Sequence, residues 1–243
     1  MYCCLGKVKR LLLALVIFAV SGLLMSCMDF FSTSLAAWAA RDPNRLIPAV
    51  TAGNVDELVA TAENNPDLSL AVLKKIQSAA GTASGDDKVK LQTAALGAAV
   101  NAAGLGQAVF NAAGAITSIT DADNPQEKAR QMVLDALNSM NNLEAAGSVL
   151  FDTLPKPGDP DFSNFTDSAS ANDLAMAAAV LLAGEVKKNS GGDLEGYVDK
   201  LLDNTYTPTD PENLAMKLAQ ASLAQGNLSG PLQDLLSGLN LIT

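Results

Sequence analysis

From Leu91 to Thr120 the chain carries no charged side chain, and alanine and glycine dominate, as in Ala94-Ala95-Leu96-Gly97-Ala98-Ala99-Val100. Such a stretch has no polar face to turn to water, so it belongs inside whatever the rest of the chain builds. Gly104 and Gly106 divide it into two helices of about 13–15 residues, each too short to cross a bilayer core of ~30 Å. Side chains this small let helix axes approach closely. The expectation is a buried central hairpin surrounded by the other helices. Three amides interrupt it: Asn101, Gln107 and Asn111. They bond across the hairpin, face solvent, or line a groove for a small apolar ligand, since apolar pockets with a few convergent polar groups hold such ligands.

The flanking segments supply the surrounding helices. Asn54-Val55-Asp56-Glu57 has the pattern of a capping box, with Asn54 as cap and Glu57 at N3. Asn65-Pro66-Asp67 starts a second helix with a cap, proline at N1 and an acid in the first turn. Its spacing turns Leu70, Leu73 and Ile76 inward and Lys74 and Lys75 outward, and Gly81 to Asp87 reads as a loop. Asn124-Pro125-Gln126-Glu127 repeats the cap logic before a helix carrying Met132, Val133, Leu137 and Met140, and another helix follows from Asn142.

Pro155, Pro157, Gly158 and Pro160 make 155–168 an irregular connection. Asp159, Asp161, Ser163 and Asp167 alternate there as in a calcium loop. Asn164, however, stands where an EF-hand needs glycine and Ser170 where it needs glutamate, so a solvated loop is the better reading. Beyond it Leu174, Ala178, Leu181 and Leu182 share one helix, and Leu194, Tyr197, Val198, Leu201 and Leu202 another. Asp210-Pro211-Glu212 caps a third, which carries Leu214, Leu218 and Ala221; Leu232, Leu235, Leu236 and Leu239 mark the last. Leu174-Ala175-Met176 recurs as Leu214-Ala215-Met216, each copy opening a long helix.

No segment alternates like a strand bounded by hairpin turns. The fold class is therefore all-α: antiparallel helical hairpins stacked as an irregular solenoid or bundle. Residues 44–154 hold hairpins around the central 91–120 pair, 155–168 connect, and 169–243 hold the C-terminal helical pairs. The layout resembles tetratricopeptide repeats, although the large aromatic and Leu-Gly positions of that signature are missing.

The N-terminus sets location. Lys7, Lys9 and Arg10 precede an apolar run from Leu11 to Leu24, ending in Leu24-Met25-Ser26-Cys27. A charged region, a short apolar region and a small residue describe a secretory signal over 1–26, shorter than the ~20 residues of a spanning helix. The ending resembles the lipobox of bacterial lipoproteins. Leu24, Ser26 and Cys27 match it, and Met25 departs from the usual small or β-branched residue. The resemblance implies cleavage between Ser26 and Cys27, thioether diacylglycerol on Cys27, and acylation of its amine by a fatty acid such as palmitate. It also implies anchoring to a membrane of the cell envelope, the periplasmic face being preferred. An uncleaved anchor helix, or a plain signal peptide with an incidental cysteine, is the competing reading. Within 27–43, Phe31, Leu35 and Trp38 share a helix face, read as a first helix of the domain in preference to a helix lying on the bilayer. With its Phe30-Phe31-Ser32-Thr33-Ser34 opening and acidic, alanine-rich helices, the chain is also similar to spirochaete lipoproteins of treponemal type. Among these are helical-repeat subunits paired with the periplasmic solute-binding proteins of transporters.

Composition narrows the chemistry. Cys3 and Cys4 leave with the signal and Cys27 carries lipid, so no thiol remains for a disulfide, a metal or a nucleophile. The chain has no histidine, which removes Ser-His-Asp and Cys-His catalysis and ordinary zinc sites together. Gly104-Leu105-Gly106 begins like a dinucleotide motif, but Val109 ends the match. Losing Lys7, Lys9 and Arg10 makes the net side-chain charge of −10 more negative still, a poor match for nucleic acid or anionic lipid. Paired carboxylates alone hydrolyse glycosides, yet aromatics, the usual sugar platforms, are only 5%. The sequence thus points to a non-enzymatic scaffold, without cofactor or metal, that binds another envelope or periplasmic protein. The alternative is a carrier of a small apolar ligand.

Overall fold

The chain divides into two compact units, Met1–Leu46 and Ile47–Thr243. A computed structural model describes residues 47–106, 131, 135–140, 142–190, 193, 196 and 207–226, all in the second unit. The signal segment with Ser26 and Cys27, the segment around Trp38, Gln107, Asn111, the leucine-rich positions Leu194, Tyr197, Val198, Leu201 and Leu202, and the Leu232–Leu239 segment lie outside these residues. All regular structure among the described residues is helical, as the punctuation predicts. In chain order the helices are α1 (Val55–Ala62), α2 (Pro66–Ala80), α3 (Gly85–Ala103), α4 (Leu143–Thr153), α5 (Phe162–Ser168), α6 (Ala171–Asn189) and α7 (Asp210–Gln225). A further short helical stretch covers 135–139.

Side chains cap three of the described helices, α2, α6 and α7, and two of the expected caps are corrected. Asn65 caps α2 as expected: its Oδ1 accepts from the Leu68 N–H at 3.0 Å, and Pro66 follows at N1. Asn54 does not cap α1. Its backbone (φ −119°, ψ −2°) lacks the extended geometry that aims a cap oxygen into the first turn. Its side chain turns backward instead, accepting from the Thr51 N–H at 2.8 Å and donating to the Ala49 carbonyl at 3.0 Å. At α7 the cap is Thr209, one residue before the expected Asp210. The Glu212 carboxylate accepts from the Thr209 N–H at 2.7 Å and the Thr209 hydroxyl from the Glu212 N–H, a complete capping box.

Two expected loops are shorter than the sequence suggests. Helix α3 begins at Gly85, whose φ of +58° turns the chain out of the α2–α3 connection. In the 155–168 connection, α5 forms over Phe162–Ser168 because every proline lies before it, and the fully buried Phe165 ties it to the core. Helices α5 and α6 then meet at a 119° bend. Among the described residues no single helix is long and apolar enough to cross a membrane.

Helix α3 is the centre, packing against α1, α2, α4, α5 and α6. Leu91, Ala95, Leu96, Ala98, Ala99, Ala102 and Ala103 are all buried, which is the expected fate of the charge-free stretch. The helix ends where glycine permits a left-handed residue, at Gly104 (φ +70°). One polar side chain enters this core. Gln92, 2% exposed, donates through Nε2 to the Thr153 carbonyl at 3.1 Å, satisfying one of the last carbonyls of α4. One ion pair is peripheral: Lys90–Asp56 at 3.1 Å joins α3 to α1, and both side chains are largely exposed.

Helices α4 and α6 cross more closely than side chains would normally allow. A Cβ on Gly184 would lie 3.1 Å from the Leu143 carbonyl oxygen and 3.4 Å from Gly147 Cα. One on Gly147 would lie 3.2 Å from the Val180 carbonyl oxygen. Lys187 reaches past the same crossing to donate to the Leu137 and Met140 carbonyls. On the other side of α6, α7 runs antiparallel. The Ser222 hydroxyl donates to the Ala171 carbonyl at 2.7 Å, and Gln225 Nε2 donates to the Thr166 and Ala169 carbonyls.

Candidate functional site

The echoed triplets meet in the α6–α7 pair. Leu174 and Leu214 are both fully buried, while Ala175 and Ala215 both line a shallow groove between the helices. Ala178, Ala179 and Ala219 complete its alanine floor, Leu182 and Met216 rise beside it, and Pro208 and Glu212 close one end. Its volume is about 420 Å³. On each helix these residues recur about every turn, which puts them on one stripe. Leu181 and Leu182 share α6, as their sequence position implies, but not one face. Adjacent helical positions point ~100° apart, so Leu181 enters the core and Leu182 is 41% exposed. Met216 is 45% and Leu223 59% exposed, and Leu223 continues the α7 stripe one turn past Ala219. These three are the only exposed large apolar side chains among the described residues.

A second cleft, also about 420 Å³, lies between α4, α6 and the start of α7. Glu144 and Asp152 come from α4, Glu185 and Lys188 from α6, and Asp210 from α7. Glu185 accepts from Asn189 Nδ2 at 2.7 Å and faces Lys188 at 3.8 Å. Lys156 lies close by. Its ammonium sits 3.3 Å from the centroid of the Phe151 ring and donates to the Phe151 carbonyl. Burial pulls its pKa below the usual lysine value, against the raising influence of Asp152, Asp159 and Asp210. The folded chain therefore releases this proton before the unfolded chain does. Between the lowered value and 10.5 the unfolded state binds more protons, so stability from this group rises with pH. Urea midpoints of the wild type, taken relative to Lys156→Met, are expected to increase from neutral pH toward 10.5; a pH-independent difference contradicts the assignment.

The third cleft, about 730 Å³, lies between the start of α3 and α5 and includes two of the alternating acids, Asp161 and Asp167. Asp161 pairs with Lys88 at 3.3 Å, and Asp159 accepts from the Lys156 N–H at 2.7 Å. Among the described residues no three acidic, histidine or cysteine side chains are grouped to hold a metal ion.

Of the three amides singled out by sequence, Asn101 is described and Gln107 and Asn111 are not. Asn101 is half-buried near the end of α3, its carbonyl accepting from the Gly104 N–H at 3.1 Å, and it lines none of these clefts. In the described half of the central hairpin, Thr93 borders the third cleft and no residue borders the apolar groove. The apolar groove lies elsewhere, and its sequence signal was the alanine spacing shared by the two triplet-bearing helices. No known protein family, curated protein or solved structure matches this chain.

Proposed function

We propose that the chain is a lipid-anchored, non-enzymatic helical scaffold of the bacterial envelope. Acylated Cys27 holds it at a membrane, and the α6–α7 groove binds another envelope or periplasmic protein. One observation supports the docking role: of the three exposed large apolar side chains among the described residues, Leu182 and Met216 border this alanine-floored groove and Leu223 lies one turn beyond Ala219 on the same α7 stripe. Scattered apolar residues need no explanation, but a cluster of them around a groove marks an interaction surface. Methionine is also enriched at protein interfaces, where its flexible thioether adapts to a partner. The lipobox resemblance supports the anchor, and the likeness to transporter-associated helical lipoproteins suggests the class of partner.

Two measurements test this reading. Cys27→Ala is expected to lose both fatty-acid label and membrane retention, and label persisting on that variant contradicts the anchor. A photo-crosslinking residue at position 216, introduced in the native host, is expected to capture one envelope protein identifiable by mass spectrometry. Capture of nothing, or of a second copy alone, contradicts the scaffold role.

Carriage of a small apolar ligand is the second reading. It draws on the groove's about 420 Å³, within the ~300–1,000 Å³ typical of ligand pockets. Native mass spectrometry of the lipid-free 28–243 chain separates the two. A small adduct that leaves on denaturation favours the carrier; a bound second protein favours the scaffold.

A further inference from the structure

The apolar groove and the acidic cleft are neighbours on the same two elements. Ala178, Ala179 and Leu182 of α6 face the groove, whereas Leu181, Glu185 and Lys188 of the same helix face the cleft. The start of α7 is divided in the same way: Pro208 and Glu212 border the groove, and Thr209, Asp210 and Pro211 border the cleft. A ligand lying in the groove therefore has one end beside the cleft. We infer that the two form one docking surface for a basic amphipathic α-helix, its apolar face on the alanine floor and its cationic end in the cleft. The inference rests on the docking role proposed above and names the partner's chemistry.

Size and shape favour a helix. The stripe from Glu212 to Leu223 is ~16 Å long at 1.5 Å per residue, about three turns of a partner helix. A floor of alanines between Leu182 and Met216 lets a third helix approach the α6–α7 pair closely, as interaxial distance is set by the side chains at the contact. Such a helix reads as apolar anchors at i, i+3, i+4 and i+7.

Charge favours a basic one. The groove's only ionisable residue is Glu212, which is 2% exposed and committed to the Thr209 N–H. The cleft holds four carboxylates, Glu144, Asp152, Glu185 and Asp210, against the single ammonium of Lys188. Lys188 faces Glu185 at 3.8 Å, and nearby Lys156 is turned onto Phe151, so the cleft keeps a negative excess. The whole chain, at −10, adds a field that steers a cation inward.

The test uses the purified full chain and a labelled synthetic helix of about 18 residues, with leucines at the anchor spacing and lysines clustered at one end. Its counterpart replaces those lysines with glutamates. The lysine helix is expected to bind about tenfold or more tighter than the glutamate helix by fluorescence anisotropy, with affinity falling as salt rises. Ala179→Trp, which fills the half-buried floor, is expected to weaken it by about tenfold. Glu144→Gln combined with Asp152→Asn, both exposed on α4, is expected to flatten the salt dependence and reduce the preference for lysine. Circular dichroism checks that each variant is folded.

Equal binding of the two helices overturns the charge selection while leaving the groove as a docking site. Undiminished binding to folded Ala179→Trp overturns the location, and absence of binding by the lysine helix overturns the inference outright. Binding that appears only after removal of residues 227–243 also overturns it, since the chain's own leucine-rich end then occupies the groove. The position-216 crosslink in the native host decides the underlying docking role separately from all of these.

Discussion

Replacing the buried amide of Gln92 with a carboxylate, Gln92→Glu, is expected to destabilise the domain by about 3–5 kcal/mol at neutral pH, the usual cost of an uncompensated buried charge. Gln92 is 2% exposed, and its Nε2 is the donor to the Thr153 carbonyl at 3.1 Å. Its Oε1 has no hydrogen-bond partner among the described residues. The substitution places two acceptors against one another and leaves the charge without a counterion. The loss is expected to depend on pH in a definite direction. Burial raises the introduced carboxyl's folded pKa above its unfolded value of ~4.3. The penalty is therefore absent below ~4.3 and grows as pH rises toward the folded value, because only the protonated acid can donate to Thr153. Gln92→Leu is the control. It removes the unpartnered oxygen along with the donor and is expected to cost about 1–2 kcal/mol, independent of pH. Urea midpoints of both variants across the acid range provide the check. Equal losses at neutral pH would mean that the site is wetter than its burial indicates.

The second large effect is expected at the α4–α6 crossing. Gly184→Val should destabilise by about 3 kcal/mol, at the upper end of ordinary overpacking. Glycine inside a helix usually costs ~0.5–1 kcal/mol relative to alanine, so propensity alone predicts that substitution helps. The obstacle is backbone. The Leu143 carbonyl oxygen at 3.1 Å and Gly147 Cα at 3.4 Å cannot rotate away as a side-chain tip would. Relief requires the two helices to separate, which opens the packing of Leu181 and Leu150, both nearly or fully buried. Gly184→Ala should fall between wild type and Gly184→Val in thermal melts. A stabilised Gly184→Ala would show that the helices slide apart at little cost. Separation at this crossing should also widen the acidic cleft, because Gly147 and Gly184 line it.

Several features were legible without tertiary structure because they depend on neighbours in sequence. Asn65-Pro66 marks a helix start since cap and proline act within one turn. Gly104 marks a helix end since only glycine enters the left-handed region at little cost. The charge-free stretch placed α3 in the core because no other position satisfies its composition, and the lack of strand alternation set the all-α class. The caps at α1 and α7 show the limit of such reading. Asn54 and Asp210 are suitable residue types, but capping requires an extended backbone at the cap, and residue type does not specify that.

The candidate site was decided by tertiary structure. Leu182 and Leu181 are alike in sequence, and only the placement of α4 and α7 around α6 sends one inward and leaves the other beside the groove. Gly147 and Gly184 lie thirty-seven positions apart, and nothing in either helix alone reveals that they touch. The four carboxylates of the cleft come from three helices, so their shared field exists only once those helices pack. Local sequence determined which segments are helical and which of them must be central, since propensity, capping and hydrophobic period act over a few residues. Tertiary packing decided where small residues on different helices meet and where an apolar face is left uncovered, because those depend on the relative placement of distant segments.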